Sequence, residues 1–288
     1  MVYLSSKQGK EGEFLVSKDN LQELIIRTVS STEELTLVRD LEKMVWASDD
    51  PVPVHQTLTV VKNGGMVIGA FLNNQLIGFQ YSFPGFDGRK VYLCSHSMGI
   101  HPDYRKLGIG EKLKLKQREE ARRLGYKLIT WTYDPLETVN GYLNLTKLGA
   151  FCRTYVENCY GDMPDILNAG LPSDRFLVEW NPEQERSERA LMEMGQNDPV
   201  TIQVDTESYV FPVPKNLILN ENFSSFIWVP VPSAFQKIKL QDMKLALDWR
   251  LKTREVFTFY LNRGWVVTQL TKGNGPDIYY YGLKRVYN

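Results

Sequence analysis

The sequence predicts an α+β fold on a mixed α/β sheet, followed by a smaller C-terminal α/β subdomain. Three observations predict it. From Leu24 to Trp180 the candidate elements run β-α-β-β-β-α-β-α-β-β. The strand-helix-strand passage in the middle asks for one parallel pair in a mostly antiparallel sheet. The chain has 288 residues, 43% hydrophobic and 12% aromatic, enough apolar surface for about two domains and too much for wholesale disorder.

Leu24 to Val29 is a short run with β-branched residues and reads as a strand. Ser31-Thr32-Glu33-Glu34 offers an N-cap with acidic residues behind it, and Leu35, Val38, Leu41, Val45 and Trp46 carry a helix to about Ala47. Asp49 to Pro53 breaks it. Met66–Leu72 and Gln75–Phe83 read as a hairpin around Asn73-Asn74, and Val91–Ile100 as a third strand ended by His101-Pro102. Gly108 to Leu124 places Ile109, Leu113, Ala121 and Leu124 on one helical face, with Gly125 as the stop. Lys127–Tyr133 is a strand, Thr138–Leu148 a helix ended by Gly149, and Phe151–Cys159 and Phe176–Trp180 two more strands.

Residues 181–207 read as a linker, with Asn181-Pro182, a charged run at 183–189 and Gly195 to Pro199. Beyond it Phe226–Val231 is a strand. Ser233 and Gln236 form a capping-box signature for one long helix to about Arg263. Trp265–Thr271 and Asp277–Lys284 are strands joined at Lys272-Gly273-Asn274-Gly275. The expected organisation is an extension at 1–20, a domain at 21–180, the linker, and a subdomain at 208–288.

The balance of 34 Lys+Arg against 34 Asp+Glu argues against a nucleic-acid binder, which needs excess positive charge. Cys94, Cys152 and Cys159 cannot pair evenly and suit a reducing compartment. Three scattered histidines predict no metal site. No apolar stretch at 1–20 resembles a secretory signal, and no run approaches a membrane span, so the cytoplasm is the expected setting and no membrane partner is expected.

The segment that carries chemistry runs from Met98 to Glu111. Arg105-x-x-Gly108-x-Gly110 stands between a strand and a helix. Glycines there let exposed backbone N–H groups approach an anion, and the helix dipole adds attraction. Arg105 to Arg123 holds eight Lys/Arg against three Asp/Glu. There is no Gly-Lys-Ser/Thr for a P-loop, and Leu113 stands where a dinucleotide fingerprint needs its third glycine. The pattern fits a pyrophosphate; an ordinary glycine-opened helix with a solvated basic face is the competing reading.

Met98 to Gly110, with the element order around it, resembles the GNAT (GCN5-related N-acetyltransferase) superfamily over about residues 24–180. The phrases at 93–100, 133–136, 140–144 and 168–174, with Trp249, Arg250 and Arg254, are similar to a bacterial branch with an extra C-terminal region. The resemblance implies acetyl-CoA or CoA as cosubstrate, no metal, and direct attack by an amine of a small molecule or amino acid. It implies that Arg105, Lys106, Leu107, Gly108, Ile109, Gly110 and Glu111 hold the pyrophosphate, and that Met98, Gly99 and Ile100 pair with the pantetheine arm.

The resemblance also shows a departure. GNAT enzymes often carry a thiolate-protonating tyrosine where this chain has Leu145. Tyr142, three residues earlier and expected on the same helical face, is the substitute. Asn140 and Asn144 are expected to bond cofactor. His96, expected on the same strand face as Met98, is the candidate base. His55, read as a loop residue, and Asp134 could border the acceptor. Arg250 and Arg254, one turn apart, could clamp a carboxylate. The alternatives are a non-catalytic CoA-binding module, an N-succinyltransferase or a protein acetyltransferase, and a homodimer is left open.

Overall fold

A computed structural model describes residues 21–47, 50–161, 169–185, 190–223, 225–275 and 277–286. The extension expected at 1–20, Asp49, Asn168 and the end of the charged run at 186–189 lie outside the described residues. The chain forms two compact units. The first takes 21–131 with 181–183, and the second 132–180 with 184–286.

In the first unit β1 (Ile25–Val29), β2 (Met66–Leu72), β3 (Gln75–Phe86), β4 (Val91–Ile100) and β5 (Ile129–Tyr133) lie in chain order. All pairs are antiparallel except β4–β5, which is parallel as the element order requires. Helix α1 (Thr32–Trp46) starts where expected, with Ser31 Oγ accepting the Glu34 N–H at 3.2 Å. Its Leu35, Val38 and Leu41 are buried in one cluster with Val67, Phe71, Phe79 and Tyr81 of β2 and β3. Each such side chain removed from water contributes roughly 1.5–3 kcal/mol.

Val54–Lys62 is a second helix, α2, where the sequence reading stopped at a break. Pro53 sits at its N-cap, and Val54, Leu58 and Val61 recur at helical spacing and pack onto the α1 cluster. His55 therefore lies on the first turn of a helix, exposed, and not in a loop. Helix α3 (Ile109–Arg123) packs on β2, β3 and β4, on the sheet face that carries Gln80 and Ser82.

The second unit opens with a short helix α4 (Thr138–Gly141) that widens into a π-turn at Tyr142–Lys147. Its sheet runs β7 (Arg175–Trp180), β6 (Phe151–Val156), β11 (Trp265–Lys272), β12 (Ile278–Arg285), β10 (Phe226–Pro232). Val267 of β11 stands opposite Cys152 of β6, so the C-terminal strands extend the sheet that β6 and β7 begin. For that reason the compact units divide inside β5 and not at 181–207. A small pair, β8 (Ile202–Asp205) with β9 (Val213–Leu217), reaches into the stretch read as linker.

The long helix expected from Ser233 is two helices, α5 (Phe235–Gln241) and α6 (Met243–Leu261). Asp242 divides them and caps α6, accepting the Leu245 N–H at 2.9 Å. The Ser233/Gln236 capping box is not formed: Ala234 is the N-cap of α5, and Gln236 donates to Glu137 Oε1. No helix among the described residues is long and apolar enough to cross a membrane.

An ionic ladder ties α6 to the second unit's sheet. Asp174, fully buried, accepts from Arg254 Nε and Nη2 at 2.8 and 2.7 Å, from the Tyr155 hydroxyl at 2.6 Å and from the Asn158 N–H at 2.9 Å. Four donors on one carboxylate offset its loss of water. Asp174→Asn leaves the Arg254 guanidinium with only the exposed Glu157 carboxylate, 3.4 Å from Nη1, as counter-charge. It is expected to lower the free energy of urea unfolding by about 3 kcal/mol; a loss below about 1 kcal/mol would show that the ladder adds little.

Candidate functional site

Strands β4 and β5 are joined by only two opposed pairs, Leu93–Ile129 and Cys94–Thr130. After Cys94 the ladder stops, and β4 runs on to Ile100 paired with β3 alone. Its outer edge from Ser95 to Ile100 is thus left with backbone groups an extended ligand can pair. Met98, Gly99 and Ile100 lie on that edge.

From Ile100 the chain makes a short turn at Pro102–Tyr104 and enters α3 at Gly108. Arg105 Nε donates to the Ile100 carbonyl at 3.2 Å and draws the loop against β4. Lys106, Leu107 and Gly108 complete the approach. Gly108 has φ +82°, which an L side chain rarely adopts. Gly110 is different: a Cβ there would stand 3.4 Å from Met98 Cε, an ordinary contact. The chain's own packing does not demand glycine at 110, so the space it leaves suits a ligand. The first N–H groups of α3, over Ile109, Gly110 and Glu111, lack intrahelical acceptors and carry the positive end of the helix dipole. This arrangement can hold a phosphate or pyrophosphate.

A β-bulge reshapes the middle of β4. Tyr81 opposes Ser97, but Ser82 opposes Ser95, leaving His96 as the extra residue. The bulge breaks the alternation that placed His96 and Met98 on one face. His96 meets the rings of Tyr81 and Phe83 at 5.7 and 5.5 Å, on the α1 face. Met98 meets Gly110 on the α3 face. The ring neighbours take the imidazole partly out of water, and that desolvation lowers its pKa. His96 is neutral at neutral pH and able to accept a proton.

Sequence reading missed the groups beside it. The Tyr81 hydroxyl and Ser97 Oγ are buried without a hydrogen-bond partner among the described residues. Burial raises the Tyr81 pKa, and the Glu42 charge raises it further. Glu42, on α1, accepts the Val52 N–H at 3.1 Å; burial raises its pKa against that bond. One face of the bulge thus presents a carboxylate, two unpaired hydroxyls and an imidazole.

The opposite face holds a closed ring of buried polar side chains. Lys114 Nζ donates to Ser95 Oγ at 2.8 Å and to Gln117 Oε1 at 3.2 Å. Gln117 donates to Ser82 Oγ at 2.7 Å, and Gln80 Nε2 lies 2.6 Å from Ser82 Oγ and 3.2 Å from Ser95 Oγ. The Lys114 ammonium also stands 3.6 Å from the centre of the Trp131 ring. Lys114 is 2% exposed, and burial pulls its pKa from 10.5 down to about 7. The only sequence signal for it was a lysine and a glutamine at inward-facing positions of α3.

The remaining candidates lie in the second unit. Tyr142 is 41% exposed on the π-turn, whereas Leu145 is fully buried. The wider π-turn separates the faces that ordinary helical spacing would merge. Asn140 is exposed and Asn144 buried. Arg250, 1% exposed, donates from Nη1 to Asp134 Oδ1 at 2.9 Å and from Nη2 to Oδ2. Burial works against its charge, but Asp134 outweighs this and the pKa rises. Arg254 is held by Asp174. The carboxylates beside the Arg pair are supplied by the chain, Asp134 to Arg250 and Asp174 to Arg254. No group of three or more His, Cys, Asp or Glu that could hold a metal occurs among the described residues.

The model of the acetyltransferase (GNAT) family matches residues 33–142. Residues 33–142 are a GNAT acetyltransferase domain. This span takes in α1, the bulged β4, the glycine loop and α3. By sequence, no curated protein matches the chain. Among solved structures, a GNAT-family acetyltransferase from Streptococcus pneumoniae is similar at 18% identity, covering 55% of this chain and 99% of that one, with a TM-score of 0.44. The ribosomal-protein-S18-alanine N-acetyltransferase from Escherichia coli is 14% identical over 60% of this chain and 97% of its own, with a TM-score of 0.45. A GNAT family acetyltransferase from Elizabethkingia anophelis, with acetyl-CoA bound, is 18% identical over 56% and 99%, with a TM-score of 0.44.

Two outcomes follow for the GNAT domain. Gly110→Glu puts a carboxylate into the cradle without backbone strain. It is expected to weaken CoA binding at least tenfold, about 1.4 kcal/mol, with an unchanged melting temperature; unchanged affinity in calorimetry would remove the loop as the anion site. The second concerns Lys114, whose folded pKa of about 7 lies below its unfolded value near 10.5. Between those values the unfolded chain binds the extra proton. Stability relative to Lys114→Met should therefore rise by about 1.4 kcal/mol per pH unit across that window and stay level below pH 7. Urea unfolding of both proteins at several pH values checks this; a flat difference would place the lysine pKa outside the window.

Proposed function

We propose that the protein is an acyl-CoA-dependent N-acyltransferase that uses acetyl-CoA and acts on the amine of a small molecule or an amino acid. In this reading residues 21–180 form the acyltransferase domain and 208–288 an additional subdomain. The observation that carries it is the early parting of β4 from β5 beside a glycine-opened helix. The free edge of β4 suits a pantetheine arm, and the first turn of α3 with Arg105 and Lys106 suits the pyrophosphate. CoA, when bound there, supplies the activated acyl group.

The α1 face of the bulge suits the acceptor. Glu42 favours a cationic amine, and the Tyr81 and Ser97 hydroxyls have hydrogen bonds to give. His96, kept neutral by its ring neighbours, takes the ammonium proton and frees the nucleophilic amine. With Arg250 and Arg254 occupied by Asp134 and Asp174, a substrate carboxylate has no support from that pair, and simple amines fit as well as amino acids.

Acetyl-CoA and CoA are expected to raise the melting temperature by several degrees at saturation. A thiol-release screen of acyl-CoA donors against amines and amino acids should then find a productive pair. CoA binding with no thiol release from any pair would favour a binding module, and no thermal shift with any acyl-CoA would overturn the reading.

A further inference from the structure

Lys114 is a buried lysine that neither the anion cradle nor the acceptor face uses, and its position is specific. The β4–β5 ladder ends at Cys94 and Thr130. Ser95 and Trp131 are the first residues beyond it on either strand. Lys114 Nζ touches both, at 2.8 Å from Ser95 Oγ and 3.6 Å from the Trp131 ring centre. The ammonium therefore closes the fork where the strands separate.

The direction of α3 gives this position meaning. Gly110 lies against Met98, and one helical turn later Lys114 lies against Ser95. The helix thus runs antiparallel to β4. A ligand whose phosphates sit at the first turn of α3, and whose arm lies along β4 toward the fork, ends at Ser95 and Lys114. For an acyl-CoA that end is the thioester.

We propose that Lys114, acting through the Ser95 hydroxyl, supplies the proton taken up by the departing CoA thiolate; this rests on the acyltransferase reading above. The amine forms the C–N bond as the C–S bond breaks, and sulfur leaves with the electron pair. Sulfur takes the Ser95 hydroxyl proton, Ser95 is refilled from the Lys114 ammonium, and Lys114 is left as a neutral amine that solvent protons later recharge. The amine's own proton leaves on the other face, to His96. Neither oxidant nor metal enters the balance.

The surroundings allow Lys114 to give and regain a proton. A pKa of about 7 leaves both forms populated near neutrality. On β4 the titratable neighbour is the Cys94 thiol, itself pushed up by burial. On α3 it meets Gln117, on β5 the Trp131 ring, and across Ser95 the Gln80 amide of β3. None of these is a carboxylate that would lock the ammonium in its charged form. The role goes to a lysine because the tyrosine common in such enzymes is Leu145 here, and Tyr142 stands exposed.

The test is the ultraviolet titration of the CoA thiol bound to the intact protein, which needs no knowledge of the acceptor. In the wild type Lys114, with a pKa of about 7, loses its charge before the bound thiol ionises, so the thiol should titrate close to free CoA. Lys114→Arg, which keeps its charge at every pH, should lower the bound thiol's pKa by about one unit relative to the wild type, because a cation then stands beside the thiolate. Lys114→Met should titrate as the wild type does and leave CoA affinity within about threefold. A thiol that titrates alike in the wild type and in Lys114→Arg overturns the role of Lys114 whether or not the methionine variant folds. A wild-type shift that survives Lys114→Met overturns it too. Failure to bind CoA at all overturns the acyltransferase reading and this role with it.

Discussion

At His96, β4 carries one residue more than β3 can match, and the rest of the candidate site follows from that mismatch. A regular strand would alternate side chains strictly, sending Ser95 and Ser97 to one face and His96 and Met98 to the other. With the bulge, Ser95 and Met98 meet α3, while His96 and Ser97 meet the Tyr81 side. The same mismatch falls just past the point where β4 loses its ladder to β5. The strand is therefore kinked, one-sided in its pairing and able to present different chemistry to each face, three properties of bulges near functional sites.

The polar ring beneath the bulge is the costly part. Lys114, Gln117, Gln80, Ser82 and Ser95 occupy positions where a helix and sheet would ordinarily bury aliphatic side chains. Two direct partners, Ser95 and Gln117, themselves bonded to Gln80 and Ser82, and an aromatic face offset the desolvation of one lysine without a counter-ion. Compare the second unit, where Arg250 and Arg254 each have a full carboxylate. There the charges are neutralised and locked. Under α3 the single charge is solvated by neutral groups, so its protonation state stays open.

The element order to β5, the parallel pair, α1, the β11–β12 hairpin and the glycine-opened start of α3 were legible because local pattern and tertiary role agree. Helix α2 was hidden by Pro51 and Pro53, although Val54, Leu58 and Val61 carried the period. The α5–α6 break at Asp242 was hidden because the apolar period continues across it. The site was legible where it is made of backbone, as at Gly108, and not where it depends on register. Nothing in Ser-His-Ser marks a bulge, so His96 was assigned the wrong neighbours. Lys114 was counted in the basic surplus of α3, as if solvated. Charge counts along a helix do not say which face a lysine takes; its spacing from Leu113 and Ala121 does. Arg250 and Arg254 looked free only because Asp134 and Asp174 are distant in sequence.

The two faces of the bulge sort proton chemistry by environment. On the α1 face His96 has its pKa lowered by burial among its ring neighbours, which holds the imidazole neutral. On the α3 face Lys114 has its pKa lowered by burial to about 7, which makes it a stronger acid than a solvated lysine. Desolvation moves both groups the same way, and because their ordinary values lie on opposite sides of neutrality it brings Lys114 to about 7 and takes His96 further below it. The amine acylation proposed above uses both: a proton leaves nitrogen on one side of the reacting carbon and arrives at sulfur on the other. A β-strand kinked by one residue puts these two groups on opposite faces of the sheet, which is what such a division of proton chemistry asks of the backbone.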